Sequence, residues 1–153
     1  MTKLTTDRIE KRIVLAAPRS RVWRALTDYR EFGAWFGVVL DAPFRAGETV
    51  TGTITYKGSL LAVTFAVQKL EPERLFSYRW HPYAVDPSVD YSAEPMTLVV
   101  FELAETTTGT LLTVTESGFD RIPLARRAEA FRMNDGGWTA QIESIRKHVD
   151  EKK

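Results

Sequence analysis

The sequence predicts an α+β domain: a curved, six-stranded antiparallel sheet wrapped around one long C-terminal helix, with two short helices after the first strand. Two patterns and one grouping predict it. Leu124, Ala128, Phe131, Trp138, Ile142, Ile145 and Val149 recur at steps of three, four or seven, which places them on one stripe of a long amphipathic helix. Between Val50 and Phe119 the pattern is almost purely β, in short alternating runs separated by turns, with most aromatic residues on one face. Helices gathered on the apolar face of an antiparallel sheet make an α+β sandwich.

Each element has its own signal. Arg8 to Ala16 reads as a strand with Ile9, Ile13 and Leu15 on one face, and Ala17-Pro18 stops it. Proline loses no needed hydrogen bond at a helix start, so a helix runs from there to about Thr27, with Val22, Trp23 and Leu26 inward. Asp28 followed by Glu31 resembles a capping box and opens a second short helix through Trp35 and Phe36. Gly37 to Gly47 reads as a loop. A meander follows, over Glu48–Tyr56, Leu60–Leu70, Arg74–Trp80, Met96–Glu105 and Thr110–Phe119. The turns are Lys57-Gly58-Ser59, Glu71-Pro72-Glu73 and Thr106–Gly109, and a long loop covers His81 to Pro95.

Dimensions turn this order into a functional expectation. Six strands at ~4.8 Å spacing make a sheet roughly 24 Å across. A helix with its side chains is only ~10–12 Å thick. One helix cannot cover that face, so a lined hollow is expected to survive between them. About 28 helical residues span roughly 42 Å against roughly 30 Å for a nine-residue strand, so one half of the helix can pack on the sheet while the other reaches across an opening. Gly136-Gly137 sits near that division and reads as close backbone packing or a kink, or else as a hinge.

Composition narrows the class. At 153 residues the chain reads as a single domain, 1–153, large enough to bury a sizeable core. A net charge of +1 argues against nucleic acid. No run approaches the ~20 apolar residues of a membrane span, and the start lacks the apolar stretch of a secretory signal, so a cytoplasmic protein is expected. Cysteine is absent, which excludes disulfides and thiolate metal sites. Two isolated histidines and no phosphate or dinucleotide glycine fingerprint give no metal site, no cofactor and no catalytic residue. The arginines at 19, 21 and 24 and at 126, 127 and 132 read as solvated helix faces, or as contacts for an anion at a pocket mouth.

Candidate ligand-binding residues follow from strand parity. Phe65, Phe76, Tyr78, Trp80 and Phe101 point to the apolar face, joined by Trp35 from the second short helix and Phe131 from the long one. Trp138 reads as a structural anchor. Tyr78 and Trp80 add a polar handle to an apolar body. Glu116 shares the parity of Leu112 and Val114, which aims a carboxylate inward. It must then be paired, protonated or wet, as a ligand-orienting acceptor or general base, or as a rim residue bonded to an arginine or backbone. His81 has the opposite parity to Trp80, and His148 lies in the last helical turn, where the helix dipole favours a cation. The long loop reads as a lid or as a disordered excursion.

Three stretches resemble a known family. Ala17-Pro18-Arg19-Ser20-Arg21-Val22-Trp23-Arg24-Ala25-Leu26-Thr27-Asp28 with Trp35-Phe36 is similar to the opening motif of activator-of-Hsp90-ATPase-like (AHSA1-type) domains. The runs Thr97–Glu105 and Gly109–Phe119 resemble their final hairpin, and Gly136-Gly137-Trp138 with Ile142 and Ile145 their closing helix. These domains belong to the START-like, or SRPBCC, superfamily with its helix-grip (Bet v 1-like) fold, and the resemblance spans about Ile9 to Val149. It implies a cavity between sheet and C-terminal helix that takes a small apolar or amphipathic, lipid-like molecule. The expected function is therefore ligand binding. The alternatives are a cyclase-, dehydratase- or hydrolase-like enzyme using Glu116 with His81, and a protein that contacts an Hsp90-type chaperone. A homodimer contact is the remaining partner to consider.

Overall fold

The structure, a computed structural model, describes residues 7–151; residues 1–6 and 152–153, counted in the domain by the sequence reading, lie outside the described residues. Strand β1 (Arg8–Leu15) leads to helices α1 (Arg19–Thr27) and α2 (Tyr29–Phe36). Strands β2 (Val39–Leu40), β3 (Thr49–Tyr56), β4 (Ser59–Glu71), β5 (Leu75–Trp80), β6 (Thr97–Glu105) and β7 (Thr110–Ser117) follow. A single 3-10 turn over Phe119–Arg121 then hands the chain to α3 (Leu124–Glu151).

The sheet has seven strands in the order β1-β7-β6-β5-β4-β3-β2, one more than the sequence predicts. The extra strand is β2, inside the stretch read as a loop; Val39 pairs with Thr53 and Leu40 with Gly52. Two residues are too few to display an alternation. Gly52 makes the pairing feasible, because a Cβ there would meet the Val38 and Leu40 side chains and the Val39 carbonyl at 2.9–3.0 Å.

Asp28 does cap α2, its Oδ1 accepting from the backbone N–H groups of Arg30 (3.0 Å) and Glu31 (3.2 Å). Glu31 does not reach back to complete the box. It accepts instead from Arg21 (2.8 Å) and Arg24 (2.7 Å) and meets His148 Nε2 at 2.8 Å, joining α1, α2 and the end of α3. Burial alone would raise this carboxyl; the hydrogen bonds from His148, Arg21 and Arg24 outweigh it and hold it below its ordinary range. Arg21 is buried in this corner rather than on a solvated face.

α3 packs against β1, α1 and α2. It is helical straight through Gly136-Gly137, and a Cβ at either glycine would meet nothing within 4 Å, so close backbone packing does not account for them. The concave face of the sheet is largely filled. Phe32, a fully buried residue of α2, lies within ring contact of Trp35, Phe36, Phe44, Phe65, Phe76 and Tyr78 at 4.8–6.4 Å between centroids. Phe101 and Trp138 extend the cluster toward α3. Edge-to-face packing of this kind adds to the gain from area burial alone. The open space lies to one side of this plug, toward the β3–β4 hairpin.

Candidate ligand cleft

That space is a cleft of about 650 Å³. Such a volume is within the range of small-molecule sites. Ile54, Tyr56, Leu61 and Val63 of the β3–β4 hairpin form one wall, Met133, Asn134, Gly137 and Gln141 of α3 another, and Phe36 and Trp80 the inner end. The fourth side is the loop from His81 to Ser92.

The loop is tied down. Arg126 of α3 donates to both carboxylate oxygens of Glu94 (2.6–3.2 Å) and to the carbonyls of Pro82 (2.9 Å) and Tyr83 (3.2 Å). Its guanidinium lies 4.8 Å from the centroid of the Tyr91 ring. His81 Nε2 meets the Glu94 carbonyl at 3.1 Å. One half-buried arginine thus gathers four loop residues, where the sequence suggested a solvated face. Tyr83 takes a left-handed backbone (φ 50°), uncommon for a residue with a side chain. Its hydroxyl lies 3.4 Å from that of Tyr56, and this hydrogen bond is the main reason its phenol is pushed up to about 12.

Behind the inner end sits Glu116, fully buried. Its position follows from register: Glu116 pairs with Val99, and Thr97, two residues away on the same face, pairs with Trp80. Trp80 Nε1 (2.8 Å) and Thr97 Oγ1 (2.5 Å) donate to Glu116 Oε2, while Asn134 Nδ2 (2.9 Å) and Trp138 Nε1 (2.8 Å) donate to Oε1. Asn134 and Trp138 are four residues apart, hence neighbours on α3. Burial pushes the carboxyl up, and the four donors pull it only part of the way back. One carboxylate therefore joins β5, β6, β7 and α3. Among the described residues it is bonded neither to an arginine nor to backbone, and Trp138 is one of its donors as well as an anchor.

The other residues singled out in the sequence fall as follows. Trp80 lines the cleft. Phe65, Phe76 and Phe101 belong to the buried aromatic cluster beside it. Trp35 is buried against Phe101 and donates its indole N–H to the Ala25 carbonyl at 2.7 Å. Phe131 packs on Phe119, 5.2 Å between centroids, and is not part of the cleft wall. Tyr56, Tyr83, Tyr91, Asn134 and Gln141 line the cleft; Tyr56 shares the strand face of Val50 and Ile54, whereas Tyr83 and Tyr91 lie in the loop and carry no parity signal.

Tyr78 lies among Phe32, Phe65, Phe76, Trp80 and Phe101, and its buried hydroxyl has no hydrogen-bond partner among the described residues. Burial first, and the Glu116 charge second, hold its phenol well above the ordinary value. Tyr78→Phe removes an unsatisfied buried polar group without changing ring packing, and is expected to stabilise the protein by about 1 kcal/mol. A urea titration that shows a loss of stability would mean the hydroxyl is satisfied in solution.

No described helix is long and apolar enough to cross a membrane. A search of curated proteins finds no match. Among solved structures, the chain is similar to a Mesorhizobium loti protein at 23% identity, with 95% of this chain and 98% of that chain covered and a TM-score of 0.75. It is similar to a Nitrosomonas europaea protein at 19% identity, with 98% of each chain covered and a TM-score of 0.76. A protein in the dynemicin biosynthetic locus matches at 24% identity over 96% of this chain but 48% of its own, with a TM-score of 0.72, so this chain spans about half its length. These likenesses establish the fold. The family described as activator of Hsp90 ATPase homolog 1-like protein (AHSA1) matches residues 16–150, and the chain belongs to that family.

Proposed function

We propose that the protein binds a small hydrophobic or amphipathic molecule in the cleft between the β3–β4 hairpin, the long loop and the first half of α3. The observation that carries this reading is the cleft itself. About 650 Å³ of space persists beside a densely packed aromatic core, walled mainly by apolar and aromatic side chains. Two of its polar groups are fixed in place: Trp80 and Asn134 both face it and are both held from behind by Glu116. Such preorganisation lowers the ordering cost of binding. An enzymatic role for Glu116 has less support, since each of its oxygens already accepts two hydrogen bonds in a fully buried setting.

Gly137 provides the test. It lines the cleft, and a side chain built on it meets open space rather than core. Gly137→Phe should place a ring in the cleft while raising helix propensity. Nile red, an uncharged apolar dye, is expected to bind the parent protein with enhanced emission. The variant should bind it about tenfold or more weakly because the apolar contact area is occluded, with an unchanged or higher Tm. Equal binding by parent and variant, or none by the parent, would refute the reading.

A further inference from the structure

The polar groups facing the cleft are biased toward acceptors. Among the described residues, none of those lining it is a lysine or arginine, whereas Asp86 and Asp90 both line it. Each aspartate uses one oxygen locally. Asp86 Oδ1 accepts from the Ser88 N–H (2.9 Å) and hydroxyl (2.7 Å), and Asp90 Oδ1 from the Ser92 N–H (2.9 Å). These bonds hold both carboxyls below their ordinary range, so both carry charge at neutral pH.

The neutral groups point the same way. Asn134 turns its amide nitrogen to Glu116 (2.9 Å), and Gln141, two turns along α3, turns its nitrogen to the Phe36 carbonyl (2.8 Å). A carboxylate or carbonyl requires a donor, so both amide orientations are fixed, and neither oxygen has a donor among the described residues. His81 Nε2 donates to the Glu94 carbonyl at 3.1 Å. The tyrosine faces already attract cations: Lys57 Nζ lies 5.3 Å from the Tyr56 centroid and the Arg126 guanidinium 4.8 Å from that of Tyr91.

Resting on the ligand-binding reading above, we propose that the cleft selects an apolar, ring-bearing molecule that carries a protonated amine, and discriminates against carboxylate and phosphate head groups. The apolar body lies against Trp80, Ile54 and Val63. The amine donates to the outward oxygens of α3 and is attracted by Asp86 and Asp90. An anion would find no lysine or arginine among the lining residues and two carboxylates opposing it, while Lys57 and Arg126 lie behind the Tyr56 and Tyr91 rings. Fatty acids and phospholipids are thereby disfavoured.

The experiment is isothermal titration at neutral pH with three probes that share one ring body: naphthylmethylamine, naphthylmethanol and naphthoate. The amine is expected to bind at least about tenfold more tightly than naphthoate and several-fold more tightly than the alcohol. Its advantage should shrink in high salt and in the double variant Asp86→Asn, Asp90→Asn, two exposed loop positions whose replacement spares the core. Naphthoate binding as well as the amine, the alcohol matching the amine, or an amine preference unchanged in the double variant would each overturn the proposal. If Nile red binds and none of the three does, charge selection falls and the cleft remains a site for uncharged apolar bodies. If Nile red fails too, the ligand-binding reading falls with it.

Discussion

Glu116→Gln is expected to destabilise the protein by about 3 kcal/mol, because an amide cannot accept the bonds a carboxylate accepts and each buried donor left unmet costs about 1–3 kcal/mol. Four donors converge on the two oxygens of Glu116. Glutamine keeps one oxygen and sets an NH2 against the donors on the other side. Whichever rotamer it takes, one indole N–H, that of Trp80 or that of Trp138, faces another donor, because an indole can only donate whereas Thr97 and Asn134 can turn to accept. A domain of this size should lose roughly 6–12 °C in Tm. Denaturant midpoints of parent and variant test this, and a loss below about 1 kcal/mol would show that the network relaxes or hydrates freely. The pH dependence gives a second readout. The folded-state pKa of Glu116 is raised above its unfolded value, with burial as the chief cause. Its contribution is then full below the unfolded value and declines as pH rises through the folded one. The stability gap between parent and Glu116→Gln should narrow over that interval, opposite in sign to what a salt-bridged carboxylate gives. Loosening of Trp80 and Asn134 at the cleft wall should appear as a change in tryptophan emission.

The difference between what strand parity reveals and what it hides explains how much of this site was legible. Alternation in β3 to β7 and the stripe on α3 are long-period signals, and they placed the elements to within a residue or two. Parity also turned Glu116 inward. It reports the face of a residue, however, not its depth or its partner. Phe65, Phe76, Tyr78 and Phe101 share a face with Trp80, yet only Trp80 borders open space. What separates them is Phe32, which α2 inserts against the strands, a tertiary fact with no local signature. β2 escaped notice because two residues cannot alternate. The donors on Glu116 come from β5, β6 and α3, brought together by register and by the docking of α3. The wall tyrosines sit on a hairpin and in a loop, where aromatic residues look the same whether they cover a cleft or face solvent. Sheet width predicted a hollow under the long helix; the aromatic plug fills the centre of the sheet, and the cleft lies to one side of it, beside the β3–β4 hairpin.

Phe32→Ala should be among the most damaging substitutions in the chain, at about 4 kcal/mol. Phe32 has no solvent exposure and touches six other rings drawn from α2, the segment after β2, β4 and β5. Truncation removes the apolar burial of a phenyl group and leaves a cavity that stiff aromatic neighbours cannot collapse to fill. Leu60, 73% exposed on the cleft rim, is the matched control, for which replacement by alanine should change stability by no more than about 0.5 kcal/mol. The contrast also separates core from cleft. If the aromatic cluster is the support that keeps the wall in place, Phe32→Ala lowers Tm and weakens dye binding together, because Phe36 and Trp80 lose their backing. Leu60→Ala leaves Tm alone and alters dye binding only. Were Phe32→Ala to cost less than about 1.5 kcal/mol, the interior would be loosely packed or already hydrated, and the distinction between a solid core and one adjoining cleft would have to be abandoned.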